Sequence, residues 1–280
     1  MPRGAYQRRS KLRAIPSPCD RETGESGPPQ LSTTDTSFDG EAKWWPEVEL
    51  ADVEYLLAPL ANYVAGEPLT SADVVSSWAG LRPLIHEPGK AAKEMSRKEE
   101  VWQSANGMIT IAGGKLTGFR KMAEEVMAKV GKALDVAVKL EDPLAPLPSG
   151  DFGDDAFRIE EQVARVAGRY QLDNAAATRL VRLYGSEVQQ VLGDNPQLIT
   201  SSIFAEEIDW AVLTDGARQL EDLVYRRLRT AWYEPAELDE LLPLATERMA
   251  QLLDWDAQRQ QRERAATEQR LAADLAAIPH

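Results

Sequence analysis

The sequence contains few of the side chains that perform nucleophilic or metal-dependent chemistry. It has one cysteine, Cys19, and two histidines among 280 residues. A disulfide framework is therefore excluded, and the single cysteine fits a reducing compartment. Nucleophilic triads are not expected either, nor are metal sites built from histidine, cysteine and carboxylate ligands.

Long apolar runs and the familiar nucleotide-binding motifs are missing as well. No stretch approaches the roughly 18 apolar residues of a membrane-spanning helix, and none near the N-terminus predicts a secretory signal. The sequence has no strand–GxGxxG–helix and no GxxxxGK(S/T) loop. We therefore predict a cytoplasmic protein and leave open a peripheral contact with the inner face of the membrane.

The chain is acidic, with a formal net charge of −13 and an isoelectric point of about 4.8. Such a charge argues against a general affinity for nucleic acid. Hydrophobic residues make up 43% and charged residues 28% of the chain. This composition is typical of a globular protein with a sizeable core.

The first half of the chain predicts strands and helices behind an unfolded start. Residues 1–30 are basic and then rich in Pro, Gly and Ser, so we expect an extension without folded structure. Apolar spacing predicts one helix over residues 46–66. β-Branched residues predict a strand over residues 72–85. This strand should end or bulge near Arg82, because Pro83 cannot donate to a ladder.

A hairpin, a second helix and a helical region follow. Asn106 and Gly107 predict the turn of the hairpin, and an apolar stripe predicts a helix from Thr117 to about Leu134. The predicted domains are an extension (1–30), a sheet-containing part (31–142), a Pro-rich linker (143–150), a helical domain (151–262) and a tail that is a solvated helix or a frayed end (263–280). The predicted fold class is therefore α+β, with an all-helical C-terminal domain.

Residues 111–118, IAGGKLTG, are the strongest candidate for a ligand site. Adjacent glycines, Gly113 and Gly114, let a backbone approach a ligand closely. Lys115 adds a positive charge at the start of a predicted helix, whose first N–H groups lack partners. Such donors suit an electron-rich group, for example the N1–C2=O edge of a flavin. A tight strand-to-helix turn with a solvated lysine would explain the same residues without a ligand.

Two arginines are candidates for binding an anion. Arg82 follows a small-residue turn and is stiffened by Pro83, and its guanidinium suits phosphate or carboxylate. Arg97 begins the next predicted strand and is a second candidate for phosphate. A structural ion pair explains Arg82 equally well, and a surface position explains Arg97. His86, in a polar loop, is either a general base or a surface histidine.

Five segments together resemble one enzyme family. STTDTSFDG, DVEYLLAPLANYV, LTSADVVSSWAGLRPLI, SRKEEV and GMITIAGGKLTGFRKMAEE follow one another as in aerobic, FAD-dependent glycerol-3-phosphate dehydrogenases. The resemblance runs from about Ser32 to Glu125. ARQLEDLVYRRLRTAW and LLDWDAQRQQRE resemble the C-terminal domain of that family. Residues 31–142 would then be an incomplete FAD- and substrate-binding sheet portion, followed by the helical C-terminal domain.

The resemblance implies an oxidoreductase that moves a hydride from C2 of glycerol 3-phosphate to FAD. The product would be dihydroxyacetone phosphate, and a quinone at the membrane would accept the electrons. The resemblance implies catalytic roles for Lys115, beside the flavin, and for Arg82, which would face and bind the substrate. Arg97 matches an arginine that binds the substrate phosphate. The turn whose backbone contacts the flavin matches Gly113, Gly114, Lys115, Leu116 and Thr117.

The chain also departs from the family pattern. The GxGxxG element that holds the FAD pyrophosphate in the N-terminal half of such enzymes has no counterpart in this sequence. Gly118 stands where threonine is usual, and Ser37 where proline is common. We therefore expect the second half of such an enzyme, inactive by itself. The alternative is a non-enzymatic helical module for interaction or oligomerisation, and a homodimer is left open.

Overall fold

The chain folds into two compact units. In this computed structural model the first unit comprises Met1–Ala145 with Ala277–His280, and the second comprises Pro146–Ala276. The described residues are 5–14, 30–32, 36–38, 41–62, 68–85, 99–139, 146, 148–152 and 159–278. Only the backbone is described at residues 5–14, 30–32, 36–38, 61 and 82–84. The division between the units falls within the Pro-rich segment 143–150.

One sheet of the first unit is organised around the strand β1 (Ala5–Ala14). The strands β2 (Gln30–Ser32) and β3 (Thr36–Phe38) each pair antiparallel with one end of β1, and β4 (Val74–Leu84) pairs antiparallel along its whole length. The expectation that residues 1–30 lack folded structure is therefore wrong for β1. Its polar sequence hides the strand, because the ladder to the distant β4 stabilises it rather than local composition.

The strand β4 continues past the position at which the sequence predicted its end. Pro83 pairs with Tyr6, so the strand neither stops nor bulges near Arg82. Among the described strands β4 has one neighbour, and proline is tolerated on such an edge because no donor is needed there. The irregularity of this ladder lies at its other end, between Arg13 and Ala14.

The first helix is shorter than predicted. α1 spans Leu50–Leu57 and passes into a 3₁₀ turn over Ala58–Asn62, instead of one helix over residues 46–66. The backbone N–H of Glu49 donates to the Asp52 carboxylate at 3.4 Å, which defines the start of α1. Residues 63–66 lie outside the described part. The buried apolar side chains of α1 are Val53, Leu56 and Leu57.

The predicted hairpin is present, but its loop is one residue longer than a two-residue turn. β5 (Glu100–Gln103) and β6 (Ile109–Ala112) pair antiparallel. The N–H of Gly107 donates to the Ser104 carbonyl at 2.9 Å, and the φ of Gly107 is +88°. This pattern belongs to a three-residue hairpin loop with glycine in the left-handed position.

The second predicted helix of this unit is confirmed. α2 spans Phe119–Leu134 and follows a 3₁₀ turn over Leu116–Gly118. It ends at Asp135, which takes a left-handed conformation with a φ of 52°. The predicted start, Thr117, lies within the 3₁₀ turn, so the prediction and the structure differ by two residues at this end.

The second unit is helical, as predicted. Its α-helices are α3 (Ile159–Tyr170), α4 (Asn174–Tyr184), α5 (Val188–Leu192), α6 (Ala205–Leu213), α7 (Thr230–Tyr233), α8 (Leu238–Leu253) and α9 (Ala257–Leu275). Shorter turns of 3₁₀ or π helix lie at Gly185–Glu187, Asp222–Arg227 and Pro235–Glu237. Among its described residues, the strand-like pairing is limited to the bridge between Leu198 and Phe204. The α+β class is thus confirmed.

The helices of the second unit enclose a core of their own. One buried cluster consists of Val163, Ala177, Leu180, Val181, Tyr184, Val188, Val191, Leu192 and Phe204. Gly185 ends α4 with a φ of 56°, as expected of a C-terminal cap. α9 extends well into the predicted tail and buries Thr267. No helix in the described part of the chain is both long enough and apolar enough to cross a membrane.

Candidate functional site

The strand β6 runs directly into the turn that the sequence indicated as a ligand site. Gly113 and Gly114 have φ angles of +79° and +83°, a left-handed backbone that residues with a Cβ rarely adopt. Lys115 then returns to an extended conformation, with φ at −112°, and caps the 3₁₀ turn that opens the helix. The sequence therefore needs its two glycines to join strand and helix at this point.

Lys115 and the two residues after it are presented to solvent. The Lys115 carbonyl accepts the N–H of Gly118 at 2.8 Å, which closes the first turn. The side chains of Lys115, Leu116 and Thr117 are exposed, and Leu116 is 90% exposed. The first N–H groups of a helix have no partner within the helix. A cation and backbone donors thus lie next to one another, which suits an electron-rich or anionic group.

Gly114 has a packing role in addition. A Cβ at this position would lie 2.7 Å from side-chain atoms of Met122 and 3.3 Å from the Cβ of Glu99. Glycine is therefore required here by the approach of the helix, whether or not a ligand binds. The ligand interpretation depends instead on the exposed Lys115 and on the solvent-facing start of the helix.

The other predicted site residues lie in a different sheet or outside the described residues. Arg82 lies in β4, opposite Gln7 of β1, and its backbone alone is described. β4 belongs to the four-stranded sheet, whereas Lys115 follows β6 of the two-stranded sheet. Arg97 and His86 lie outside the described residues. A common cleft for Arg82, Arg97 and Lys115 therefore stays a prediction.

A buried ionic cluster in the second unit was missed by the sequence analysis. The carboxylate of Glu207 is fully buried and accepts both terminal nitrogens of Arg179, at 2.5 and 2.9 Å. The Tyr184 hydroxyl donates to it at 2.9 Å and the Phe204 N–H at 3.0 Å. Arg179 also donates to the carbonyl of Ser202 at 2.6 Å. A charged residue beside the apolar stripe of α6 was the one available signal.

The cluster is electrostatically balanced. Burial raises the pKa of the Tyr184 hydroxyl, and the negative charge of Glu207 raises this pKa further. Burial acts to lower the pKa of Arg179, but the attraction and hydrogen bonds of Glu207 outweigh it, so the pKa is raised. The arginine therefore stays charged and the tyrosine stays neutral. Such a cluster fixes α4 against α6 and does not transfer protons.

A second polar cluster of this unit joins the π turn to α9. The Tyr225 hydroxyl donates to the Asp274 carboxylate at 2.5 Å, and Arg270 donates to the same carboxylate. Burial raises the pKa of Tyr225, as does its hydrogen bond to Asp274. Burial also raises the pKa of Asp274, although Tyr225 and Arg270 act in the opposite direction. Neither cluster lies in the unit that carries Lys115.

Comparison with known proteins gives the family. Residues 146–260 match the C-terminal domain of alpha-glycerophosphate oxidase. The aerobic glycerol-3-phosphate dehydrogenases of Staphylococcus aureus strains USA300 and MRSA252 are each 31% identical to the chain over 245 residues. The chain belongs to the aerobic glycerol-3-phosphate dehydrogenase family. The match includes 82% of this chain but 43% of either relative, and it lies in their C-terminal part.

A solved structure from this family resembles the chain along nearly its whole length. The glycerol-3-phosphate dehydrogenase of Bacillus halodurans, complexed with FAD, superposes with a TM-score of 0.75 and 26% sequence identity. The superposition covers 99% of this chain and 58% of that one. The family resemblance seen in the sequence is thereby confirmed. The chain spans less than half the length of its staphylococcal relatives and somewhat more than half of the solved one.

Proposed function

We propose that the chain supplies the C-terminal part of an FAD-dependent enzyme that oxidises glycerol 3-phosphate to dihydroxyacetone phosphate and reduces a quinone. The turn at residues 113–117 carries this proposal, because an exposed lysine follows two left-handed glycines at the start of a helix. The names of the staphylococcal relatives support the substrate class. The FAD in the Bacillus halodurans structure supports the cofactor.

The residues of the turn fit a flavin by the chemistry of their donors. The backbone at Gly113, Gly114, Leu116 and Thr117 would hold the ring edge, with Lys115 beside it. FAD, when bound, would accept the hydride that leaves the alcohol carbon of the substrate. Lys115 would stabilise the negative charge that develops at the N1–C2=O edge, since a fixed cation near that edge changes the electronics of the flavin.

The two arginines would act on the substrate rather than on the flavin. A guanidinium binds a phosphate with paired, charge-assisted hydrogen bonds. Arg82 would hold the substrate against the flavin, and Arg97 would be a second ligand of the phosphate. Fixing the phosphate fixes the position of C2 and removes much of the entropic cost of the reaction. The family pattern supports both roles.

Reconstitution tests the proposed function. The intact chain is coexpressed with the N-terminal part of the Bacillus halodurans enzyme that has no counterpart in it, and reduction of a water-soluble quinone analogue by glycerol 3-phosphate is followed. We expect turnover by the complex, none by the chain alone, and a large loss in Lys115→Ala. Lys121→Ala is the matched control, because Lys121 is exposed on α2 and pairs with Glu124 at 3.3 Å. A complex that holds FAD but does not oxidise glycerol 3-phosphate would contradict the proposal.

The alternative function is a helical interaction module without catalysis. The second unit favours it, since its helices enclose a buried core of their own within residues 146–276. Such a module would be colourless, stable and unaffected by the N-terminal part of a relative. A coexpressed chain that is fully helical in its second unit but never acquires flavin would support this alternative over the enzyme.

A further inference from the structure

The first unit exposes an apolar surface around its hairpin. We define the hairpin surface by six side chains of the hairpin and the helix after it: Trp102 (44% exposed), Met108 (60%), Ile111 (37%), Phe119 (46%), Met127 (40%) and Leu134 (66%). No residue of β5 or β6 is buried. The one buried residue of α2 is Gly131. Large apolar side chains concentrated in this way, without cover, are typical of an interaction site.

Neither face of the hairpin is covered. Opposite residues of an antiparallel ladder share a face, so Val101 and Ile111 lie on one face and Trp102 and Thr110 on the other. Each face thus presents one large apolar side chain that is more than a third exposed. Within the described strands, β5 and β6 pair only with each other. A two-stranded sheet is marginally stable in water and normally gains further strands or a packed layer.

The helix α2 is covered along part of its apolar stripe. One row of side chains is half-buried: Met122, Val126 and Val130. The neighbouring row is exposed: Phe119, Met127 and Leu134. Since a helix in a folded domain buries its apolar stripe against another layer, the exposed row marks where a further layer belongs.

The structure assigns the hairpin surface as the docking site for the FAD-binding N-terminal part of the same enzyme family; this assignment rests on the proposed function. The Bacillus halodurans chain has a counterpart for 99% of this chain, while 42% of its own length (100% less the 58% covered) lies outside the match. That remainder is the polypeptide available to cover the surface. Leu116, 90% exposed, lies between the hairpin and α2. The partner would therefore enclose the flavin turn as it docks.

Charge and position both disfavour a second copy of this chain as the occupant. Each copy carries a formal net charge of −13, so close pairing of two copies meets general repulsion. A second copy would also cover Leu116 without contributing a pyrophosphate-binding GxGxxG element, which the sequence lacks. The FAD-binding part brings that element to the same edge of the site.

The test measures binding separately from catalysis. The intact chain is coexpressed with the N-terminal part of the Bacillus halodurans enzyme, and complex formation is measured by copurification and by biolayer interferometry without glycerol 3-phosphate. We expect a one-to-one complex that Trp102→Glu and Leu134→Glu each weaken at least tenfold. Leu213→Glu is the matched control, because Leu213 is 70% exposed on α6 of the other unit, and it should bind like the parent chain.

Hydrogen exchange on the chain alone provides a second measurement that does not need the partner to fold. Amides of residues 100–112 should exchange much faster than those of α8 in the free chain and should slow in the complex. Equal binding by the two hairpin variants, slow exchange of the hairpin in a free monomer, or a homodimer abolished by these variants would each overturn the assignment. A complex that forms as expected but does not turn over leaves the assignment standing and contradicts the proposed function. Turnover by a complex that Trp102→Glu does not weaken does the reverse.

Discussion

The fully buried carboxylate of Glu207 grips the guanidinium of Arg179 with two hydrogen bonds, at 2.5 and 2.9 Å. These residues lie 28 positions apart, on α4 and α6. The Tyr184 hydroxyl satisfies the same carboxylate from α4. A buried ion pair of this kind is costly to break, because the partner left behind is a charge without compensation.

Removing Glu207 should therefore strongly destabilise the helical unit. We expect Glu207→Ala to lower the free energy of unfolding by about 3–5 kcal/mol, as for other buried pairs that lose one partner. Glu206→Ala is the control on the same helix, because Glu206 is half-buried and accepts the Gln197 N–H at 3.0 and 3.2 Å. Its loss should be about 1 kcal/mol. Urea denaturation followed by circular dichroism compares the two variants, and equal losses would show that the pair is not buried as described.

The stability of the helical unit should fall at alkaline pH because of two tyrosines. The pKa values of Tyr184 and Tyr225 are raised above the usual 10.0, so both stay protonated in the folded state while the unfolded state ionises near pH 10. Their contribution is fully present below pH 10 and is lost as the pH rises further, at about 1.4 kcal/mol per pH unit for each tyrosine. The variant Tyr184→Phe should flatten this decline. Unfolding free energies between pH 8 and 11 that run parallel for parent and variant would contradict the prediction.

Three glycine variants separate backbone strain from steric clash at the flavin turn. Gly114→Ala combines a φ of +83° with a contact of 2.7 Å to Met122 and should destabilise the first unit most. Gly107→Ala has a φ of +88° but no atom within 4 Å, so it should cost about 1–2 kcal/mol from strain alone. Gly118→Ala has neither problem and should be nearly neutral. Thermal unfolding gives the order, and Gly118→Ala as the worst of the three would be evidence against the turn geometry.

Kinetics of the reconstituted enzyme should distinguish the arginine from the lysine. Arg82→Ala should raise the Michaelis constant for glycerol 3-phosphate, because removing one side of a buried charge-assisted pair costs about 2–5 kcal/mol. Lys115→Ala should mainly lower turnover and shift the flavin potential downwards, since the reduced flavin loses a nearby cation. Steady-state kinetics and a potentiometric titration measure both effects. Unchanged kinetics in Arg82→Ala would remove this residue from the proposed site.

The chain alone should bind FAD weakly. Most of the affinity for FAD in this class of fold comes from a pyrophosphate seated on a glycine-rich turn and a helix N-terminus. That motif is absent from the sequence. A fluorescence titration of the purified chain should show no saturation in the low-micromolar range. Tight, stoichiometric binding would mean that the turn at residues 113–117 holds the cofactor without the pyrophosphate site.

Local patterns in the sequence were sufficient for some elements and misleading for others. The periodicity of α2 and the paired glycines before it are local signals, and the structure has both within two residues of the prediction. The strand β1 gave no such signal, because its ladder to β4 joins residues about 70 positions apart, Lys11 to Trp78 for example. The bounds of α1 were missed because apolar spacing continues beyond Leu57, where the structure has a 3₁₀ turn.

The sequence by itself determined the family, the α+β class and the residues of the flavin turn, since each depends on residues close together in the chain. Only the tertiary structure decided that Glu207 is buried against Arg179 and that the hairpin surface is exposed. Burial depends on which distant segments pack together, and composition does not encode that locally. For the same reason, the cleft predicted for Arg82, Arg97 and Lys115 awaits a structure with the FAD-binding part in place.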